Sequence, residues 1–158
     1  MPMSIVCVGK MREKYYSLAA TEYTKRLQKY QKVTIIECED LPEPSNSSTK
    51  IQEQIMQKEG EMILRKIKPT DTVIALCIGG KMYESQQLAS FIQEKQTQGK
   101  QLVFVIGGSL GLSPAVVQRS DYQLSLSSLT LPHQLARVVL LEQLYRTQKI
   151  LSGERYQK

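Results

Sequence analysis

Apolar runs that stop at clusters of glycine or serine are the places in this sequence where backbone groups can face a ligand. Three such ends stand out. Ala75-Leu76 leads through Cys77-Ile78 into Gly79-Gly80. Ile106 leads into Gly107-Gly108-Ser109-Leu110-Gly111. Leu126 leads into Ser127-Ser128-Leu129-Thr130-Leu131. Glycine permits tight turns and lets a ligand approach the main chain, so exposed N–H and C=O groups there can read the edge of a nucleobase. Gly79-Gly80 serves equally well as a plain end to a strand. The 107–111 segment is harder to dismiss. It is not G-x-G-x-x-G and no helix opens directly from it, so a dinucleotide site has weak support. It lacks the P-loop lysine, which leaves hydrolysis of nucleoside triphosphates with little support as well.

A second group of candidates follows the serine-rich segment. His133 and Arg137 stand four residues apart, on one face of the helix that must begin there. His133 lies near the helix start. Arg137 keeps its charge at any accessible pH and is a suitable partner for phosphate. Arg146 has Glu142 four residues before it, and an intrahelical pair accounts for it as readily as a ligand does. Taken alone, the tail Gly153-Glu154-Arg155-Tyr156-Gln157-Lys158 reads as a frayed terminus.

The elements that must hold these residues alternate. Ser4–Val8 reads as a first strand, ended by Gly9. A helix over about 12–30 carries Tyr16, Ala19, Ala20, Tyr23, Leu27 and Tyr30 at helical spacing. Val33–Glu37 is a second strand. Two prolines and several serines make 41–49 a mobile loop. A helix over 50–67 presents Ile51, Ile55 and Met62, and Pro69 closes it. Thr72–Ile78 is apolar throughout, as expected of a strand covered on both faces, and Gly79-Gly80 ends it. Ser85 caps a third helix that buries Leu88, Ala89 and Ile92. The strand 101–106, a short helix at 114–118, the strand 122–126 and a helix from Pro132 complete the pattern. Strands separated by helices predict an α/β fold, a mainly parallel sheet with helices on both faces, in one domain over 1–158.

The last helix is apolar on every side: Leu135, Ala136, Val138, Val139, Leu140, Leu141, Leu144 and Tyr145 go round the whole cylinder. Such a helix must be buried on every side. In a chain of 158 residues, burial against a second subunit in a two-fold dimer accounts for this better than burial within one domain.

Composition narrows the classes further. The net charge of +6 allows contact with phosphate backbones without proving it. No apolar run approaches the ~20 residues that span a bilayer, so no membrane association is expected, and the location is read as cytoplasmic. Cys7, Cys38 and Cys77 lie within aliphatic runs without C-x-x-C spacing, and read as buried free thiols. With one histidine in the chain, no metal site is expected.

These segments carry a resemblance. VIGGSLGLSP (Val105 to Pro114), LSLSSLTLPHQLARVVLLEQLYR (Leu124 to Arg146) and the terminal GERYQK resemble the RlmH family, as do IVCVGKMREKYY and KEGEMILRKI. The likeness spans essentially the whole chain. It implies a SPOUT-superfamily methyltransferase with a C-terminal trefoil knot. Such enzymes use S-adenosyl-L-methionine, without a metal. They act as homodimers on assembled ribosomes and methylate N3 of a pseudouridine in large-subunit (23S) ribosomal RNA. Carried over residue by residue, the cofactor contacts fall on Leu76, on Gly107, and on Leu126, Ser127, Ser128, Leu129, Thr130 and Leu131. His133 and Tyr156 become candidates for proton handling, Arg137 and Arg146 for holding phosphate or developing negative charge. The family tail usually has histidine after the tyrosine. Gln157 stands there instead, which argues against a tail imidazole as an obligatory base.

Two other classes compete. A non-catalytic ribosome- or RNA-binding dimer would keep the charge and lose turnover, and Gln157 favours it. A nucleotide-binding oxidoreductase is disfavoured by the missing glycine fingerprint. Lys10, Arg12, Lys14, Lys25, Arg26 and Lys29 can track RNA, although a solvated helix face explains them too. If they do track it, ribosome binding weakens steeply as salt is raised, because each neutralised phosphate releases counterions. Affinity unchanged between low and high salt would refute the electrostatic contact.

Overall fold

The computed structural model describes residues 2–156. The elements run β1 (Met3–Val8), α1 (Lys14–Gln28), β2 (Val33–Cys38), α2 (Thr49–Arg65), β3 (Thr72–Met82), α3 (Ser85–Thr97), β4 (Leu102–Ile106), α4 (Pro114–Arg119), β5 (Tyr122–Ser125) and α5 (His133–Leu151). The strands pair in parallel in the order β2-β1-β4-β3-β5. Parallel pairing puts the carboxyl ends of all five on one edge, where an open sheet forms its binding crevice. The expected α/β architecture is what the chain adopts.

Alternation along the strands sorts the core into two layers. Met3, Ile5 and Cys7 of β1 and Leu102, Phe104 and Ile106 of β4 point to one face. There they meet Ala20 and Leu27 of α1, Leu88 and Ile92 of α3, and Leu140, Leu141 and Leu144 of α5. Val6, Val8, Val73, Val103 and Val105 point to the other, against Ile63 of α2 and Val116 of α4. The larger side chains thus fill the three-helix layer and the valines the two-helix layer. Helix α5 packs between α1 and α3. Among the described residues no helix is long and apolar enough to cross a membrane.

Three local expectations need correction. Strand β3 does not end at Gly79-Gly80 but continues to Met82. Leu76 and Lys81 both face Leu124 of β5, so Cys77, Ile78, Gly79 and Gly80 bulge out of the ladder between them. The bulge needs one glycine for space: a Cβ on Gly80 would sit 2.7 Å from the carbonyl carbon of Gln123. Ser85 is not the cap of α3. Glu84 is, through a capping box in which its backbone N–H donates to Gln87 Oε1 at 2.9 Å. In α2 the buried face is Glu59, Gly60 and Ile63, whereas Ile51 in the first turn is 37% exposed. Segment 41–49 has a turn closed by Ser47 N–H to Pro44 O at 3.1 Å, and Ser48 caps α2 by accepting from Ile51 N–H at 3.3 Å.

The two glycines of the bulge respond differently to substitution. Nothing lies within 4 Å of a Cβ on Gly79. Gly80→Ala must push backbone aside and is expected to cost about 2 kcal/mol, whereas Gly79→Ala is expected within about 0.5 kcal/mol of the parent. Urea unfolding of both variants checks the pair; equal stabilities would mean that β5 does not press on Gly80.

Candidate functional site

A cleft of about 690 Å³ opens at the carboxyl edge of the sheet. Its walls come from the three segments singled out in the sequence. Leu76, Cys77 and Ile78 of the β3 bulge form one side. Ile106 and the 108–111 loop after β4 form the floor. Leu126, Ser127, Leu129, Thr130 and Leu131 after β5 form the other side, closed by His133 and Ala136 at the start of α5. The volume lies in the range of small-molecule sites, roughly 300–1,000 Å³.

Local chemistry fixes these loops. Ser125 Oγ donates to Ser127 O at 2.9 Å, and Ser127 Oγ accepts from Leu129 N–H at 3.0 Å. Those bonds turn the chain sharply after β5. In the β4 loop Gly108 bridges to Gly111, whose N–H donates to Gly108 O at 3.0 Å. Gly107 lies beneath that bridge, where a Cβ would stand 2.7 Å from the Gly111 carbonyl carbon. Its role in the cleft is therefore to let the loop fold tightly. Among the described residues the lining carries no aspartate, glutamate, lysine or arginine. Such a wall suits a largely apolar ligand read by hydroxyls and main-chain groups better than a highly charged triphosphate.

Ser128 is exposed and Gly107 lies below the surface of the cleft, while the other candidate cofactor residues line it. Cys77 departs from the expected buried thiol, because the bulge turns it into the cleft wall; partial burial pushes its pKa up. Cys7 and Cys38 are buried as expected, and burial pushes the Cys7 thiol up to about 12.

His133 is the one imidazole in the chain, and it is half-buried. Burial holds its pKa below the usual 6.5; Asp40 pulls it back up, and Arg137 and Arg12 push it down. The neutral ring, able to accept a proton, is therefore the form this site favours at neutral pH. Asp40 is held by Arg12, with a 3.2 Å ion pair, and Arg12 N–H donates to Gln134 Oε1 at 3.3 Å. Glu59, 4% exposed, sits behind this group and accepts from Leu41 N–H at 3.2 Å; burial is the main cause raising its pKa. The sequence reading passed over Asp40 and Glu59. The run Glu37-Cys38-Glu39-Asp40 ends a parallel strand, and the rule applied to the other strand ends would have flagged it.

Arg137 is 2% exposed. Its guanidinium donates to Glu37 Oε2 at 2.6 Å and to Gly9 O at 2.8 Å. The side chain is thus spent on tying α5 to the ends of β1 and β2. Arg146 and Tyr156 lie elsewhere. Arg146 pairs with Glu142 at 2.7 Å, and its guanidinium sits 4.3 Å over the Tyr156 ring. Tyr156 also meets Tyr145 edge-on at 5.1 Å. Arg146 is 13 residues beyond His133, or roughly 20 Å along the helix at 1.5 Å per residue. One chain therefore does not bring Arg146 and Tyr156 to His133.

The tail is not frayed over its described part. Glu154 is fixed by Lys149 at 2.7 Å and by the Tyr30 hydroxyl at 3.0 Å, which folds the chain back along α5. Gln157 lies outside the described residues.

Solved structures with a similar fold are methylases by description. A methylase-family protein from Haemophilus influenzae Rd KW20 matches with TM-score 0.55 and 13% identity over 99% of this chain and 70% of its own. One from Neisseria gonorrhoeae matches with TM-score 0.55 and 11% identity over 98% and 95%. A probable rRNA-methyltransferase from Porphyromonas gingivalis matches with TM-score 0.51 and 11% identity over 95% and 69%. At these identities the likeness is one of fold. A family model described as "Predicted SPOUT methyltransferase" matches residues 1–157, and the chain belongs to that family.

Proposed function

We propose that the protein transfers a methyl group from S-adenosyl-L-methionine to N3 of a pseudouridine in large-subunit ribosomal RNA, working as a homodimer on the ribosome. One observation carries the cofactor assignment: a neutral, glycine-floored cleft that gathers Leu76, Leu126, Ser127, Leu129, Thr130 and Leu131 at three adjacent strand ends. The nucleotide and the ribosomal setting rest on the resemblance of Val105–Pro114 and Leu124–Arg146 to the RlmH family.

When bound, the cofactor supplies a methyl group on a positively charged sulfur. The chain must align the nucleophilic nitrogen with that methyl and take up its proton. N3 lies between two carbonyls and becomes a good nucleophile once deprotonated. The deprotonated nitrogen would be the acceptor for the methyl group that the bound cofactor supplies. His133, at the cleft wall and favoured in its neutral form, is the acceptor best placed within one chain. Burial and a hydrogen bond to Glu142 both hold the Tyr156 phenol above its usual value, so in this setting it serves as a donor rather than a base.

The dimer brings the separated parts together. No residue of α5 is fully exposed, yet Leu135, Val138, Val139 and Ile150 are not completely buried by their own chain. A second copy seated there would complete their burial, and it is the simplest way to bring a Tyr156 and an Arg146 to a His133. Arg137 acts as a positioning residue in this reading, because its guanidinium is committed to Glu37 and Gly9.

Mass spectrometry of ribosomal RNA from cells with and without the protein tests the reaction: N3-methylated pseudouridine is expected only with it. Single-turnover transfer tests the base. Since burial lowers the His133 pKa, the rate is expected to rise with a midpoint below 6.5 and then to level off. His133→Asn should remove this limb. A limb with its midpoint above 10, lost in Tyr156→Phe, would assign the proton to the phenol instead.

A further inference from the structure

A second cavity lies beside the first. It measures about 580 Å³ and opens between α1 and edge strand β2. Lys10, Lys25, Ser17 and Thr21 line it, with Glu37 and Arg137 among its walls. Four features distinguish it from a plain solvated face. Lys10 and Lys25 make no ion pair with a carboxylate among the described residues. The one acidic group in its lining, Glu37, is already held by Arg137 at 2.6 Å, so its local charge is positive. The side chains of Ser17 and Thr21 make no hydrogen bond among the described residues, while that of Thr24 is spent on Ala20 O at 2.7 Å. Arg137 borders the cavity, and its buried Nε has no hydrogen-bond partner among the described residues.

Position gives the cavity its meaning. Arg137 borders it, and His133, one helical turn earlier on α5, borders the cofactor cleft. One turn rises about 5.4 Å. Lys10 and Met11 of the 9–13 loop line the second cavity, and the loop is pinned to α5 by Arg12 N–H on Gln134 and to β2's end by Arg12 on Asp40. A strand whose base enters the cleft beside His133 would have its neighbouring backbone next to this cavity.

We propose that the α1–β2 cavity is a phosphodiester subsite: Lys10 and Lys25 hold the backbone of the RNA strand next to the target nucleotide, and Ser17 and Thr21 donate hydrogen bonds to the phosphate oxygens. Phosphate contacts of this kind set the register of a strand without reading its sequence. The proposal rests on the RNA-methyltransferase reading above and adds where the substrate backbone runs.

The test compares the full-length protein with Lys10→Ala/Lys25→Ala and with Lys50→Ala/Lys58→Ala, a control pair on α2 across the sheet. Binding to unmethylated large ribosomal subunits is measured over a range of potassium chloride. Removing two phosphate contacts is expected to weaken binding about tenfold at 0.1 M salt and to lower the slope of log K against log salt by about 1.5. The control pair should bind as the parent does. Calorimetry with S-adenosylmethionine should give the same affinity for all three, which shows that the fold survives. Thr21→Val should weaken binding with the salt slope unchanged.

Parental affinity and slope in the Lys10/Lys25 variant would overturn the subsite, as would an equal loss in the α2 control. Competition by inorganic phosphate that is identical for parent and variant would also overturn it. The two readings fail separately. A parent that binds subunits through this cavity but transfers no methyl group refutes the enzyme assignment alone. A parent that methylates, with an unaffected Lys10/Lys25 variant, refutes the subsite alone.

Discussion

The site depends on one buried guanidinium. Arg137 leaves the first third of α5, enters the interior and ends on Glu37 of β2 and the carbonyl of Gly9 after β1. Each partner is the carboxyl end of a parallel strand. The contact therefore sets the angle at which α5 leaves the sheet, and with it the place of His133 one turn earlier. Burying an arginine is costly, and such a pair adds little net stability compared with a hydrocarbon of the same shape. Its value here is in register: a directional, two-pronged contact holds the helix at one rotation, where apolar packing alone would tolerate several. Leu140, Leu141 and Leu144 then supply the burial that keeps the helix down.

From that anchor the chain divides its chemistry into two regions. One is neutral and apolar, where three strand ends converge around His133. The other is aromatic and cationic, at the far end of α5, where Arg146, Tyr145 and Tyr156 stack and Lys149 ties down the tail through Glu154. The two regions are separated within one chain by roughly 20 Å of helix length, a gap that the proposed second copy would close. The charge distribution agrees with a division of labour: among the described residues the cleft lining contains no lysine or arginine, whereas Lys10, Lys25 and Arg137 line the α1–β2 cavity.

Much of this was legible in the sequence because parallel sheets carry a strong signal. Continuous apolar runs such as 72–78 and 101–106 mark strands covered on both faces, and the residues after them mark the crevice. That rule alone located Leu76 and the 107–111 and 126–131 loops. It misplaced the end of β3, because a glycine that ends a strand and one that makes room for a bulge look alike until the neighbouring strand is in view. It also could not tell a phosphate-binding arginine from one buried as an anchor. Arg137 is bound to Glu37, a hundred residues away, and no spacing rule connects them. Arg146 was decipherable for the opposite reason: its partner Glu142 is one turn away, where i,i+4 pairing applies. The tail looked frayed because Glu154 is held by Tyr30, 124 residues away in sequence.

The central claim is that S-adenosylmethionine occupies the cleft at the ends of β3, β4 and β5. Hydrogen exchange of the free and cofactor-saturated protein tests it most directly, since main-chain amides are what the cleft offers. The account predicts slowed exchange in the 76–80, 107–111 and 126–131 segments, with the α1–β2 cavity unchanged. Protection centred on α1 and β2, or none at saturating cofactor, would contradict it.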